Sequence, residues 1–214
     1  MSAVLQYDKG ARLYILPEYK FFVWKILRKG VKSGRVLDIG TGSGRLAVEL
    51  ARARGTDFRI TGLDISGNML SRARENTAMA DMADRIDFVL GTASKLPFAD
   101  NSFDMVISYA SLHHWFDPVS VLKEARRVCS RTGLILIRDN LRVYGNPFWE
   151  AFIWSISRGM NKRHRDNWPK AILASYTLPE IKAILKESGL HEYSAGSDFI
   201  RFDVCIEAGL NKNV

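Results

Sequence analysis

Cysteine is nearly missing from this chain. Cys129 and Cys205 are the only two in 214 residues, and neither stands in a C-x-x-C pair. That argues against a disulfide framework, a zinc cluster and a dithiol redox site, and makes a reducing cytoplasm the simplest setting. Long apolar runs are missing too. Phe21-Phe22-Val23-Trp24 is broken by charge within a few residues, far short of the ~20 apolar residues that a membrane span needs. The first residues lack the basic, apolar, small-residue order of a secretory signal. No internal repeat, low-complexity tract or Pro/Gly/Ser linker divides the chain. No His/Asp/Glu cluster has metal-ligand spacing, so metal-independent chemistry is expected. What is present is a globular composition, 47% apolar and 25% charged, of a size that favours one domain. The net charge of +8 is compatible with an anionic ligand, an acidic membrane surface or nucleic acid, and selects none of them.

Apolar periodicity gives the order of elements. Glu18 to Lys29 carries Phe22, Ile26 and Leu27 at helical spacing. An alternation follows: strand Arg35–Ile39, helix Gly44–Arg54, strand Phe58–Leu63, helix Ser66–Ala80 capped by Ser66, strands Ile86–Leu90 and Phe103–Tyr109, helix Asp117–Cys129, and strand Gly133–Arg138. Strands alternating with helices predict an α/β fold: a doubly wound, mostly parallel sheet with crossover helices. Beyond it, Pro147–Met160 reads as a helix and Asn161–Asn167 as a polar, basic stretch. Thr177-Leu-Pro-Glu180 reads as a capping box whose helix ends near Gly189. Strands near His191–Ser194 and Phe199–Glu207 would close the sheet as an antiparallel hairpin on its edge, placing Cys205 in an edge strand and Cys129 inside a helix.

The strongest local signal is Val36-Leu-Asp-Ile-Gly-Thr-Gly-Ser-Gly44, a strand running into three alternate glycines before a helix. Glycine permits a sharp turn and close approach of a ligand, and such a loop is expected to point its N–H groups outward. The dinucleotide pattern G-x-G-x-x-G is not met, because Arg45 stands where its third glycine would be. Asp64 lies 20 residues beyond Gly44 at the end of the second strand, where a carboxylate can accept from both hydroxyls of a ribose. Asp38 places a second carboxylate beside the loop. It would repel a pyrophosphate and suit a cationic nucleoside.

With these residues the chain resembles the class I S-adenosylmethionine-dependent methyltransferases, above all their small-molecule branch, which includes the ubiquinone/menaquinone biosynthesis C-methyltransferases. The resemblance runs through Asp38–Gly44, Gly62-Leu-Asp-Ile-Ser66, Leu96–Asp104 and Leu112-His-His-Trp115. It implies a seven-stranded Rossmann-like sheet with a terminal antiparallel strand, and S-adenosyl-L-methionine as cofactor, with S-adenosyl-L-homocysteine as product. It also implies cofactor contacts. Gly40, Thr41, Gly42 and Gly44 would surround the methionine part, and Asp38 would hold its amino group. Asp64 would take the ribose, with Ile65 and Met69 flanking the adenine. Gly91-Thr92-Ala93 stands where many relatives carry Gly-Asp-Ala, so Thr92, the Ala93 backbone or Ser94 would replace the adenine contact of that Asp, and Ser108 would end the fourth strand. Tyr7, in the arm Tyr7-Asp8-Lys9-Gly10-Ala11, would cover the methionine end or the acceptor, as would Tyr14 or Tyr19.

Ligands of such a sheet sit at the carboxyl ends of its strands, which brings His113 and His114 near the cofactor as candidate bases. The layout expected is a helical arm over residues 1–32, a cofactor-binding core over 33–140, an acceptor-site insertion over 141–176, and a C-terminal helix and hairpin over 177–214. Tyr144, Phe148, Trp149, Phe152, Trp154 and Trp168 would give the insertion an aromatic lid, with Arg158, Lys162, Arg163, Arg165 and Lys170 beside it. The expected function is methyl transfer to a small organic acceptor that is aromatic, isoprenoid or anionic. The alternatives are a non-catalytic binder of the cofactor, another use of the same cofactor, and an RNA methyltransferase. The last is disfavoured because no Asp/Asn-Pro-Pro-Tyr/Phe motif, Pro-Cys nucleophile or RNA-binding module is present.

Overall fold

A computed structural model describes residues 16–143, 147–158, 162–198 and 200–207, leaving aside the side chains of residues 16, 149, 153, 156, 157 and 162–164. Tyr7, Tyr14 and Tyr144 lie outside the described residues. Seven strands form one sheet: β1 (Ser33–Ile39), β2 (Asp57–Asp64), β3 (Ile86–Leu90), β4 (Phe103–Tyr109), β5 (Cys129–Asn140), β6 (Ser194–Ser197) and β7 (Arg201–Glu207), in the order β3-β2-β1-β4-β5-β7-β6. The first five pair in parallel, and β7 runs antiparallel to both β5 and β6. The chain therefore reverses its direction of winding between β1 and β4, which opens a crevice at their carboxyl ends.

Helices cover both faces. In α1 (Leu16–Leu27), Phe22, Val23 and Ile26 share one stripe and are buried, while Phe21 and Trp24 stack outside with ring centroids 5.6 Å apart. With α2 (Arg45–Ala51) this helix closes one core, which includes Val36, Ile60, Met105 and Tyr109. The other core lies under α4 (Pro118–Val128) and α7 (Leu178–Glu187), around Leu37, Val106, Ile135 and Phe202. Their apolar residues recur at helical spacing, Val121, Leu122, Ala125 and Val128 in α4, so each helix buries one stripe only. Caps fix the helix starts. Ser66 accepts from the Met69 amide at the head of α3 (Gly67–Met79), and Thr177 and Glu180 form the expected capping box on α7.

The segment Leu96–Asp104 takes its shape from α4. Arg127 donates to the carbonyls of Phe98 and Leu96, and Glu124 accepts from the Leu96 amide. Differences from the sequence reading concentrate after β4. β5 starts at Cys129, which is the C-cap of α4 and fully buried, rather than a residue inside the helix. Cys205 lies in an interior strand, because β6 takes the edge beyond β7. β6 spans Ser194–Ser197 instead of His191–Ser194, since its register partners in β7 are Phe202–Cys205. The basic stretch is part of a helix. After α5 (Pro147–Ser157), α6 (Lys162–Ala174) continues through Arg165 and Asn167 to bury Ile172, with Pro169 inside it. Among the described residues no helix is long and apolar enough to cross a membrane.

Candidate active site

The crevice begins where β1 ends. Gly40 and Gly42 have φ of 73° and 55°, in the left-handed region, so the loop turns as glycine alone turns freely. The two positions face different surroundings. A Cβ on Gly40 would stand 1.9 Å from Ser111 Oγ, whereas a Cβ on Gly42 would meet no atom within 4 Å. At Gly44 it would press on Ala73 and Phe88, so that glycine serves packing. Gly42 alone of the three borders open space.

The amides of the loop run against expectation. Gly40 N and Thr41 N both donate to Leu63 O, Gly42 N donates to Asp64 Oδ2, and Gly44 N donates to Thr41 O. These donors are spent on the protein itself, so the loop shapes a surface instead of offering an amide nest for phosphate.

Two carboxylates stand beside it. Asp64 accepts from Gly42 N on one oxygen and from Ser66 N on the other, at 2.8 and 2.9 Å, and each oxygen keeps a second lone pair. Asp38 is 1% exposed and accepts from Thr41 Oγ1 at 2.7 Å. Burial pushes its carboxyl up to about 7, with the charge of Asp64 adding to the rise and the Thr41 hydroxyl opposing it. A buried acid held near neutrality would be drawn into its ionised form by a cation.

Around Asp64 the apolar candidates are exposed or half-buried. Ile65 is 78% exposed, and Leu90, its strand neighbour across from Asp64, is 63% exposed. Met69 is half-buried. Gly91 N donates to the backbone carbonyl of Asp64, so Thr92 and Ala93 follow directly after the point where β3 leaves β2. The Thr92 hydroxyl lies 3.0 Å from that of Ser94, and Ala93 packs on the second core. Two named candidates sit differently. Ser108 is 1% exposed and donates to Ile39 O at 2.9 Å, tying β4 to β1. Tyr19 is a core residue packed edge-on against Tyr109 at 5.0 Å.

The opposite wall is the end of β4. Ala110 holds φ at 51°, a conformation that costs a non-glycine residue about 1 kcal/mol. The turn brings Ser111 against Gly40, and the Trp115 indole donates to Ser111 Oγ. A short 3-10 turn then carries Leu112–His114, with α6 alongside. His113 Nδ1 lies 2.7 Å from Asp139 Oδ1, and its side chain is 4% exposed. Asp139, fully buried at the end of β5, also accepts from the amides of Leu112, His113 and Asn140. Asp139 thus accepts from amides on both oxygens, which places its Oδ1 to accept from His113 Nδ1 and makes Nε2 the ring nitrogen not held by it. Nε2 makes no hydrogen bond among the described residues. His114 is exposed, its ring 4.0 Å from that of His113. Partial burial and the neighbouring His113 hold it below the usual histidine range.

Asp139 was not singled out from the sequence. The available signal was the run Arg138-Asp139-Asn140 closing the apolar Leu134–Ile137: three buried polar residues at the edge of a sheet where ligands sit. The aromatic lid is legible only in part. Phe148, Phe152 and Trp154 on α5 are 69%, 37% and 61% exposed, Trp168 on α6 is half-buried, and the side chain of Trp149 lies outside the described residues. Among the described residues no group of three His, Cys, Asp or Glu could hold a metal ion.

Comparison with known proteins gives one direction. The methyltransferase-domain family matches residues 37–137. The 27-O-demethylrifamycin SV methyltransferase of Amycolatopsis mediterranei is 36% identical over 75% of this chain and 55% of its own. The demethylmenaquinone methyltransferase of Staphylococcus aureus is 32% identical over 86% of this chain and 80% of its own. This chain spans about half the length of several curated relatives it matches. A crystal structure from Methanococcus maripaludis, assigned to the S-adenosyl-L-methionine-dependent methyltransferases, superposes with a TM-score of 0.75 at 24% identity. It covers 99% of this chain and 94% of that one, a likeness of fold. On sequence, fold and the placement of its motifs, the chain belongs to the class I S-adenosylmethionine-dependent methyltransferases.

Proposed function

We propose that this chain transfers a methyl group from S-adenosylmethionine to a small organic acceptor, by in-line displacement that needs no metal. The observation that carries the reading is the pairing of two carboxylates, Asp38 and Asp64, with a glycine loop whose amides face inward. A pyrophosphate would find negative charge and few donors there. A nucleoside bearing an ammonium and a sulfonium would find a ribose acceptor in Asp64, a counter-charge in Asp38, open space at Gly42 and an apolar surface at Ile65. When bound, S-adenosylmethionine supplies a methyl carbon already activated toward displacement. The chain's remaining work is to hold donor and acceptor collinear and to keep water out.

An acceptor whose O–H or N–H must ionise needs a base, and His113 is set for the part. Asp139 fixes its tautomer and leaves Nε2 to take the proton. His113→Ala is expected to lower turnover roughly 100-fold or more while S-adenosylhomocysteine binds as before. Asp139→Asn should lower turnover as well, because the imidazole loses its orienting partner. Unaltered turnover in both variants would remove the base from the mechanism.

Asp38 gives a pH dependence with a definite sign. Its carboxyl titrates at about 7 in the free protein, and a cationic ligand favours the ionised form. Binding below that pH must therefore release a proton. Affinity for S-adenosylmethionine is expected to rise with pH, by up to about tenfold per unit below about pH 7, and to level off above it. Asp38→Asn should abolish the slope. Titrations across this range, with proton release read from the buffer dependence of the heat, check both statements.

The direct assay is incubation with S-adenosylmethionine and candidate acceptors, starting with the demethylated rifamycin and menaquinone types named for the relatives. A product heavier by one methylene, with S-adenosylhomocysteine formed in equal amount, is expected. A protein that binds the cofactor and methylates nothing in a broad panel would be a binder instead.

A further inference from the structure

Next to the end of β4, on the face covered by α1, lies a cluster of charge built round two buried arginines. Lys25, Arg138 and Arg201 face Glu18, Asp198 and Asp203. Arg138 has Asp203 and Asp198 each 2.7 Å from one terminal nitrogen, although its Nε is buried without a hydrogen-bond partner among the described residues. Arg201 has no acid so close. It is 7% exposed, and among the described residues its guanidinium makes one hydrogen bond, from Nη1 to Asn140 Oδ1 at 2.7 Å. Its Nε is likewise buried without a hydrogen-bond partner among the described residues, and the nearest acid there, Glu18, stays 3.7 Å from that atom. A buried guanidinium with one neutral hydrogen bond and one distant counter-charge is costly, because desolvation is not repaid by close pairing.

The unused edge has a definite shape. With Nη1 taken by Asn140, Nε and Nη2 remain, the parallel pair of donors that matches a planar carboxylate. Asn140 orients the group from one side, and the Tyr109 ring lies under it, 5.1 Å from the guanidinium carbon to the centroid. Glu18 satisfies this edge badly. It reaches Tyr109 Oη at 3.4 Å, Arg138 at 3.5 Å and Arg201 at 3.7 Å, all long, and its side chain is 37% exposed. Glu18 is the one acid within 4 Å of the Arg201 guanidinium among the described residues, so its departure would leave that group without a close counter-charge. The position is also suggestive. Asn140 and Arg201 pair in register at the carboxyl end of β5, and Tyr109 is followed directly by Ala110 and by Ser111, which touches Gly40.

We infer that Arg201 recognises a carboxylate on the methyl acceptor, and that Glu18 is a tethered stand-in which the acceptor displaces. The inference rests on the methyl-transfer reading and narrows its acceptor to a carboxylate-bearing molecule. The probe is sodium benzoate, with neutral benzamide as its isostere, titrated into the protein saturated with S-adenosylhomocysteine. Benzoate should bind at least about tenfold more tightly than benzamide. Glu18→Gln, which removes the competing charge from a partly exposed position, should bind benzoate several-fold more tightly still, and Arg201→Gln should lose the preference. Equal binding of the two probes, no detectable binding of either, or no gain in Glu18→Gln would overturn the assignment. The affinity for S-adenosylhomocysteine, measured in the same samples, reports separately on the cofactor site. Its absence in the unaltered protein would count against methyl transfer, whereas its presence without a benzoate preference would count against Arg201 alone.

Discussion

Gly42→Val is expected to abolish S-adenosylhomocysteine binding in a protein that still folds. The Cβ of a valine there would meet no protein atom within 4 Å. The fold therefore pays only for a β-branched residue at a φ of 55°, about 1–2 kcal/mol. The space the side chain fills is the space assigned to the ligand, and a loss of affinity beyond ~100-fold, or ~2.7 kcal/mol, is the expected result. Gly40→Val is the contrasting change. Its Cβ would collide with Ser111 Oγ at 1.9 Å, so the damage should fall on thermal stability. Calorimetry and a melting curve on both variants separate the two effects. Wild-type affinity in Gly42→Val would place the ligand elsewhere.

Asp64→Ala should weaken the same ligand by roughly 1–3 kcal/mol, the worth of charge-assisted hydrogen bonds to a ribose. Part of this loss is indirect, because the Asp64 carboxylate also receives the amides of Gly42 and Ser66 and so fixes the loop against the head of α3. Asp64→Asn keeps the shape and one acceptor oxygen, so it should lose less than the alanine variant. Titration of S-adenosylhomocysteine into the three proteins checks the order, and equal affinities would remove Asp64 from the site.

The glycine loop and the carboxylate beside it were legible because their information is local. A glycine at positive φ, a carboxylate ending a strand and a serine capping the next helix each leave a residue type at a fixed spacing, and β1, β2 and α3 stand where that spacing places them. The direction of the loop amides was misjudged for a related reason. Their acceptors, Leu63 O and Asp64, come from the neighbouring strand, and pairing across a sheet is not written in the loop itself.

The opposite wall of the crevice depends on contacts between distant segments. Asp139 meets His113 across 26 residues, and Arg201 meets Asn140 across 61. Nothing local in the sequence announces either pair. The reading also stopped the fifth strand at Arg138 and so left Asp139 and Asn140 outside it, although they are among the most buried polar residues of the sheet. Charged residues ending an apolar strand read as a strand terminus. Here they continue the strand into the crevice, where burial is tolerated because each finds a partner. The basic stretch was missed as a helix because its polar face precedes the residue that buries it, Ile172.

The whole account stands or falls on what enters the space between Gly42, Asp38 and Asp64. Titrating S-adenosylmethionine into the folded, unaltered chain decides it. Saturable binding of one molecule per chain, with a proton released below about pH 7, is the result predicted. No heat from a protein shown to be folded, or tighter binding of a pyrophosphate-bearing dinucleotide at the same site, would contradict it.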